Sequence, residues 1–333
     1  MCKILVQIFC LVPFIVYSQS NTTKEYSILF YNIENLFDCR HDTLKNDSEF
    51  LEDGYKNWSS YRMYHKLNGI SKVIHASNGW NPPVLIGLCE VENSFVLKQL
   101  IYQTGLKNSN YKYIHYESPD RRGIDVALVF KKNEFIPIRS FPIGVSDSSS
   151  NFLTRDALYV KGIIHRTDTV HVFVNHWPSK RGGALASEHK RERVAQLISA
   201  KVDSIQKLNV KSKVIVMGDF NAEYSAPSIQ KLINTNNLES VLKSKDIKQR
   251  RIAGSHKYQG HWSLIDHILI SKHWINSAII HHKIVDLPFL LEDDLTYSGV
   301  KPKRTYAGPN YHGGVSDHLP VILTVKCKKE GEQ

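Results

Sequence analysis

Six apolar runs in this sequence end in an acid, an amide or an imidazole. Residues 85–88 lead through Cys89 to Glu90, residues 170–174 to Asn175 and His176, and residues 214–218 to Asp219, Phe220 and Asn221. Leu264 and Ile265 run into Asp266, Val315 and Ser316 into Asp317 and His318, and Tyr31 into Asn32 and Glu34. One such ending alone reads as a turn, because Asp and Asn are common turn formers. Six endings drawn from the same few residue types point instead to a shared crevice, where strand ends of a layered α/β fold converge. The set suits a divalent metal acting on a phosphodiester. Oxygen donors suit Mg²⁺, which keeps several waters and needs only one or two carboxylates. Imidazole and amide donors stabilise charge building on five-coordinate phosphorus. A carboxylate orients a water or an imidazole.

The elements that must position these residues alternate between short apolar runs and amphipathic stretches, an α/β pattern. Strands are predicted at residues 28–31, 84–88, 126–130, 170–174, 214–217, 265–270 and 321–325. Met63, Leu67, Ile70 and Ile74 share one helical face, and Val194, Leu197, Ile198, Val202 and Ile205 mark a long amphipathic helix. Ser94 is placed as the cap of a short helix, and Ser225 opens another with Pro227 in its first turn, where proline is tolerated. Several strands follow one another without a helix between them. Packed mixed sheets with helices outside therefore fit better than an alternating doubly wound sheet. Residues 146–151 and 292–299 read as long loops, not as domain linkers.

The chain has 333 residues, 42% hydrophobic and 23% charged, which excludes a disordered tail, a fibre or a small disulfide scaffold. The net charge of +11 favours a polyanionic partner, or else serves solubility alone. Residues 1–20 read as a secretory signal peptide: Lys3, a short apolar run, then Ser18 to Ser20. The apolar run is too short to anchor the chain across a bilayer. Export to the periplasm or the exterior is expected, and length alone suggests two domains. Cys39, Cys89 and Cys327 would remain, an odd number from which the sequence selects no bridge. No obligate protein partner is evident.

The blocks Phe30-Tyr31-Asn32-Ile33-Glu34, Leu88-Cys89-Glu90-Val91, Asn175-His176-Trp177-Pro178-Ser179, Gly218-Asp219-Phe220-Asn221-Ala222, Leu264-Ile265-Asp266 and Ser316-Asp317-His318-Leu319-Pro320 resemble the ordered motifs of the endonuclease/exonuclease/phosphatase superfamily. The resemblance implies an α/β fold of the deoxyribonuclease-I-like type, a four-layer sandwich of two packed mixed β-sheets flanked by helices, with residues 21–333 as one catalytic domain because one site needs both ends of the chain. It implies Mg²⁺ as cofactor, with Mn²⁺ or Ca²⁺ as substitutes. Glu90 matches the metal-binding glutamate and Asn32 the amide supporting that site. Glu34 and Asp317 stand where some relatives carry further metal carboxylates. Asp219 and Asn221 match the pair that orients the attacking water and contacts the phosphate. Asp266 and His318 look like an imidazole held by an acid. His176 matches a second histidine, with Asp125 as its expected carboxylate partner. Motif matching does not say which histidine is the base.

Arg155 resembles a phosphate-contacting arginine, with a surface ion pair to Asp156 as the alternative. Lys180 and Arg181 either grip a backbone phosphate or form a solvated turn. Lys301, Lys303, Arg304, Tyr306 and Tyr311 interleave charge and aromatic rings beside Asp317, as a groove wall or a charged loop. His256, His261, His281 and His282 read as exposed or structural. The function expected is a secreted Mg²⁺-dependent nuclease acting on DNA or RNA. A phosphatase, or a sphingomyelinase-type enzyme using Trp262 or Trp274 to meet membranes, is the rival.

Overall fold

The computed structural model describes residues 25–79, 81–147, 152–180, 183–242 and 251–327. The expected signal peptide lies outside them, as does Arg181. The chain runs β1 (Glu25–Leu36), α1 (Ser60–Ala76), β2 (Leu85–Val91), α2 (Ser94–Tyr102), β3 (Tyr111–His115), β4 (Asp125–Lys131), β5 (Phe135–Ile143), β6 (Ala157–Ile164), β7 (Asp168–His176), α3 (Ala184–Leu208), β8 (Lys213–Asp219), α4 (Pro227–Thr235) and β9 (Leu238–Ser240). It continues through β10 (His256–Tyr258), β11 (His261–Ser263), β12 (Asp266–Ser271), α5 (Lys272–Ser277), β13 (Ala278–Ile284), β14 (Leu291–Asp293), β15 (Val300–Pro302), β16 (Tyr306–Ala307), β17 (Asn310–Tyr311) and β18 (Val321–Cys327).

Two six-stranded sheets result, ordered β13-β18-β1-β2-β4-β3 and β5-β6-β7-β8-β12-β9. Each is mixed: β1 lies parallel to β2 and β7 to β8, while the other pairs are antiparallel. Their inner faces share one core, in which Ile28 and Phe30 of the first sheet join Val172, Val174 and Met217 of the second. The outer face of the second sheet has its own core, where Phe173 and Val216 meet Val194, Ile198 and Val202 of α3. Such a double burial is why these strands read as continuous apolar runs.

Helix starts differ from expectation in small ways. Asn93, not Ser94, caps α2: its side chain accepts from the backbone N–H of Phe95 and Val96. The α4 helix begins at Pro227, two residues after Ser225, with proline at its first turn. Trp274 is buried in the core and Trp262 is only part-exposed, with Lys257 near its ring, so neither forms an apolar membrane hairpin. No described helix is long and apolar enough to cross a membrane. Cys39 and Cys89 carry free thiols.

Candidate active site

Register places three of the expected residues side by side at the end of the second sheet. His176 of β7 pairs with Asp219 of β8, and Asp219 pairs with Asp266 of β12. The first sheet supplies Asn32 and Glu90 through a local break in pairing. Asn32 stands opposite Cys89, yet the next matched pair is Leu36 and Val91. The extra residues bulge out, and Glu34, Asn35 and Glu90 all take positive φ, as does Asn221 in the turn just after β8. Each left-handed non-glycine residue costs on the order of 1–3 kcal/mol. This strain aims the acids into the crevice between the sheets. β18 pairs with β1, so the loop carrying Asp317 and His318 returns to the same place. Ser316 fixes it by donating to the Asn32 carbonyl at 2.7 Å.

The polar contacts are dense. The Asn32 side-chain amide donates to Asp219 Oδ2 at 3.0 Å and approaches Glu90 Oε1 at 3.4 Å. The Asn35 backbone N–H donates to Glu90 Oε2 at 2.9 Å. Asp219 Oδ1 accepts from the Asn221 backbone at 2.8 Å, and the Asn221 amide donates to the Trp177 carbonyl at 2.9 Å. His318 Nδ1 lies 2.7 Å from Asp266 Oδ2, and its Nε2 lies 3.9 Å from Asp219 Oδ2. His176 Nε2 is 3.7 Å from Asp219 and 3.9 Å from Glu90. Asp219, Asp266 and His318 form a close cluster, their ligating atoms within 4.8 Å of one another. Because Asp266 already holds His318, this trio is an acid–imidazole pair facing a second acid.

Electrostatics separate the two histidines. Burial opposes charge on His318, but Asp266, Asp219 and Asp317 outweigh it and hold the imidazolium well above its ordinary range. Burial, with Arg155, Arg122 and His318, keeps His176 neutral. Burial and Asp266 push Asp219 up to about 7. Opposed environments of this kind divide acid from base.

Glu34 and Asp317 occupy the other flank. Glu34 is buried, accepts from the Thr305 backbone at 2.8 Å, and is pushed up to about 7 by burial and Asp317. Asp317 faces the mouth and pairs with Arg304 at 2.9 Å, whose Nε also lies 3.8 Å from Glu34. Beneath them sits a fully buried cation, Lys66, which is absent from the residues expected at the site. Lys66 donates to the Thr305 hydroxyl and to the Val315 carbonyl; burial pulls it down to about 8 against the attraction of Glu34, Asp317 and Glu90. Its signal is present in the sequence: Lys66 falls on the apolar stripe of α1 between Met63 and Ile70. His256 also lies closer to the chemistry than expected. It bridges to His318 through the backbone and packs its ring 4.8 Å from the His318 ring.

Two expectations need correction. Asp125 does not serve His176. One Asp125 oxygen accepts from the Ser118 backbone at 3.0 Å and the other lies 3.3 Å from His115 Nε2, with Glu117 nearby. Among the described residues, His176 Nδ1 has no hydrogen-bond partner. Arg155 is neither an exposed phosphate ligand nor a partner of Asp156. It is buried behind His176, paired with Asp120 at 3.3 Å and donating to the Trp177 carbonyl at 3.0 Å. Lys180 is exposed in the turn after His176.

The crevice fits a hard divalent cation. Five carboxylates converge, two of them pushed up to about 7 by burial and by neighbouring acids, and the donors are oxygens with a supporting amide. Glu90 and Asn32, with Asp317 and Glu34 at the flank, are the residues that would hold it.

The sequence matches the profile of the endonuclease/exonuclease/phosphatase family over residues 27–327. Comparison with curated protein sequences gives no match. Among solved structures, a family protein from Bacteroides thetaiotaomicron is 14% identical with a TM-score of 0.59, covering 92% of this chain and 99% of that one. The human nocturnin catalytic domain is 18% identical with a TM-score of 0.55, covering 91% and 95%. The mannosyl-6-phosphatase Bt3783 of Bacteroides thetaiotaomicron is 16% identical with a TM-score of 0.58, covering 90% and 99%. At such identities the structures establish a shared fold, and the profile establishes the lineage: this chain belongs to the endonuclease/exonuclease/phosphatase family, the divalent-metal-dependent phosphoric ester hydrolases.

Proposed function

We propose that the protein is an exported, Mg²⁺-dependent phosphodiesterase that cleaves DNA or RNA to 5′-phosphate and 3′-hydroxyl ends. The observation that carries this reading is the buried row His176–Asp219–Asp266 with His318 locked to Asp266. Asp219 takes a proton from the attacking water as the new oxygen–phosphorus bond forms. Its elevated pKa places it near neutral pH, where a general base works well. His318, held as the imidazolium, gives its proton to the departing 3′ oxygen as the old bond breaks. Neutral His176 and the Asn221 amide bind the non-bridging oxygens. A divalent cation on Glu90 would neutralise charge developing on the phosphate. Lys180 and Arg181 extend the grip to the neighbouring phosphate. The net charge of +11 supports a polyanionic substrate, and residues 1–20 support export to the periplasm or exterior.

The test offers the purified protein plasmid DNA, RNA, inositol polyphosphates, a hexose 6-phosphate and sphingomyelin, with Mg²⁺ or with EDTA. Cleavage of a nucleic acid that EDTA abolishes supports the proposal. Turnover confined to the phosphomonoesters or sphingomyelin rejects it and makes the protein a phosphatase or lipase of the same fold.

A further inference from the structure

The outer face of the second sheet carries a charge pattern that the crevice does not use. Arg139 of β5 pairs in register with Lys161 of β6, and Lys161 with His171 of β7. Three basic residues thus stand abreast across three strands. The next row on that face is Phe141, Tyr159 and Phe173. Like charges directly opposite one another destabilise a sheet, and here no acid relieves them. Among the described residues, Arg139, Lys161, Lys201 and Lys211 have no carboxylate within ion-pair distance. Asp168, at the edge, is taken by Lys213 at 2.8 Å.

Aromatic rings hold the cations in place. Lys201, reaching down from α3, sits 5.0 Å from the Phe141 ring centre and 5.3 Å from that of Tyr159. Arg139 lies 5.3 Å from the Phe141 ring centre. A cation placed by a π face keeps its charge available, whereas one placed by a carboxylate does not. His171 is buried and bonded through Nδ1 to the Tyr159 hydroxyl at 2.8 Å. Burial, Lys161 and Lys201 pull it down to about 4, so it enters as a neutral donor in a positive field. These groups line a cavity of about 660 Å³ between the sheet and the C-terminal part of α3.

We infer that this cavity is a second anion site, for a compact ligand bearing at least two phosphoryl groups. The size is that of a small-molecule pocket, roughly 300–1,000 Å³, and too small for a duplex. The aromatic faces are already covered by the protein's own cations, so they do not offer a nucleobase a stacking platform. The site is separate from the crevice. His171 precedes His176 by five residues, about 16 Å along β7, and the odd spacing puts it on the opposite face of the sheet. Binding there does not depend on whether the crevice cleaves nucleic acid.

Pyrophosphate, in EDTA so that no metal recruits it to the crevice, is the probe. Calorimetry with the full chain should show binding that weakens about tenfold in Arg139→Gln/Lys201→Gln, the worth of a charge-assisted contact. Phosphoester hydrolysis by that variant should be unchanged. Lys161→Gln supplies a check that misfolding cannot imitate: without ligand it should melt higher than wild type, because repulsion is relieved, yet gain less from pyrophosphate. Two results would overturn the site. One is a wild-type stabilisation no greater than that from sodium chloride of equal ionic strength. The other is pyrophosphate binding that survives the double variant but is lost in His318→Ala.

Discussion

The two ends of β7 carry opposite electrostatic burdens. At the His176 end, two sheets press five carboxylates together, and a buried lysine, an arginine and an imidazolium offset only part of their charge. Toward the other end, on the outer face, three bases stand in a row with no acid among them. Neither arrangement is what stability alone would select, since each juxtaposes like charges. What differs is the means of confinement. In the crevice, bulged strands with left-handed residues and direct hydrogen bonds fix each acid, as chemistry on one atom requires. On the outer face, flexible cations rest on aromatic rings above a regular sheet, which suits binding without reaction. Unrelieved charge of one sign marks a place prepared for a partner of the other. The rigidity around it separates a reactive site from a receptive one.

The sharpest way to break this contrast is to remove single groups from the crevice. Asp219→Ala or His318→Ala should each lower hydrolysis about 10³-fold, within the range for a lost general base or acid, while melting stays within a few degrees. Equal losses from Arg139→Gln would show the two ends to be one functional unit. Next in size is Lys66→Met. It leaves the Val315 carbonyl and the Thr305 hydroxyl without their donor and strips a cation from Glu34 and Asp317. Denaturant unfolding without metal should show a loss of about 3 kcal/mol. Mg²⁺ should restore more stability to this variant than it adds to the wild type, because it replaces the missing positive charge. A Lys66→Met protein as stable as wild type would mean that the acids never needed the ammonium.

Much of the crevice is legible in the sequence because its residues sit at the ends of apolar runs. A run that stops in Glu90, His176 or Asp219 announces both the strand and its functional terminus, whereas Asp266 opens its strand. Pairing choices are not legible. Asp125 belongs with His115 because β3 and β4 are neighbours whose register brings His115 beside Ala127, and nothing in the local sequence states that register. The buried Arg155 is fixed by Asp120 and the Trp177 carbonyl, two long-range contacts. The bulges at Glu34 and Glu90 leave no local mark because left-handed backbone there is held by tertiary contacts, not announced by glycine. The row Arg139–Lys161–His171 is the extreme case: its members are scattered across 33 positions and become a pattern only when the strands are laid side by side. Lys66 is the opposite, a charge whose place on an apolar helical stripe is readable from spacing alone.

The smallest expected effect tests whether charge in the crevice is truly left for a metal. Glu34 has its folded pKa raised from 4.5 to about 7 by burial first and then by Asp317. Between those values the folded protein holds a proton that the unfolded chain has lost, so its contribution to stability declines as pH rises from about 4.5 to about 7 and is level above. Glu34→Gln removes that decline because the amide does not ionise. In EDTA, the melting temperature of Glu34→Gln minus that of wild type should therefore grow across that interval and then flatten. Other titrating groups are common to both proteins and cancel in the difference to first order. With Mg²⁺ present the growth should shrink, since a cation in the crevice favours the ionised glutamate. A difference that ignores pH, or one that Mg²⁺ enlarges, would place Glu34 outside the metal's reach and leave Glu90 and Asn32 to hold it.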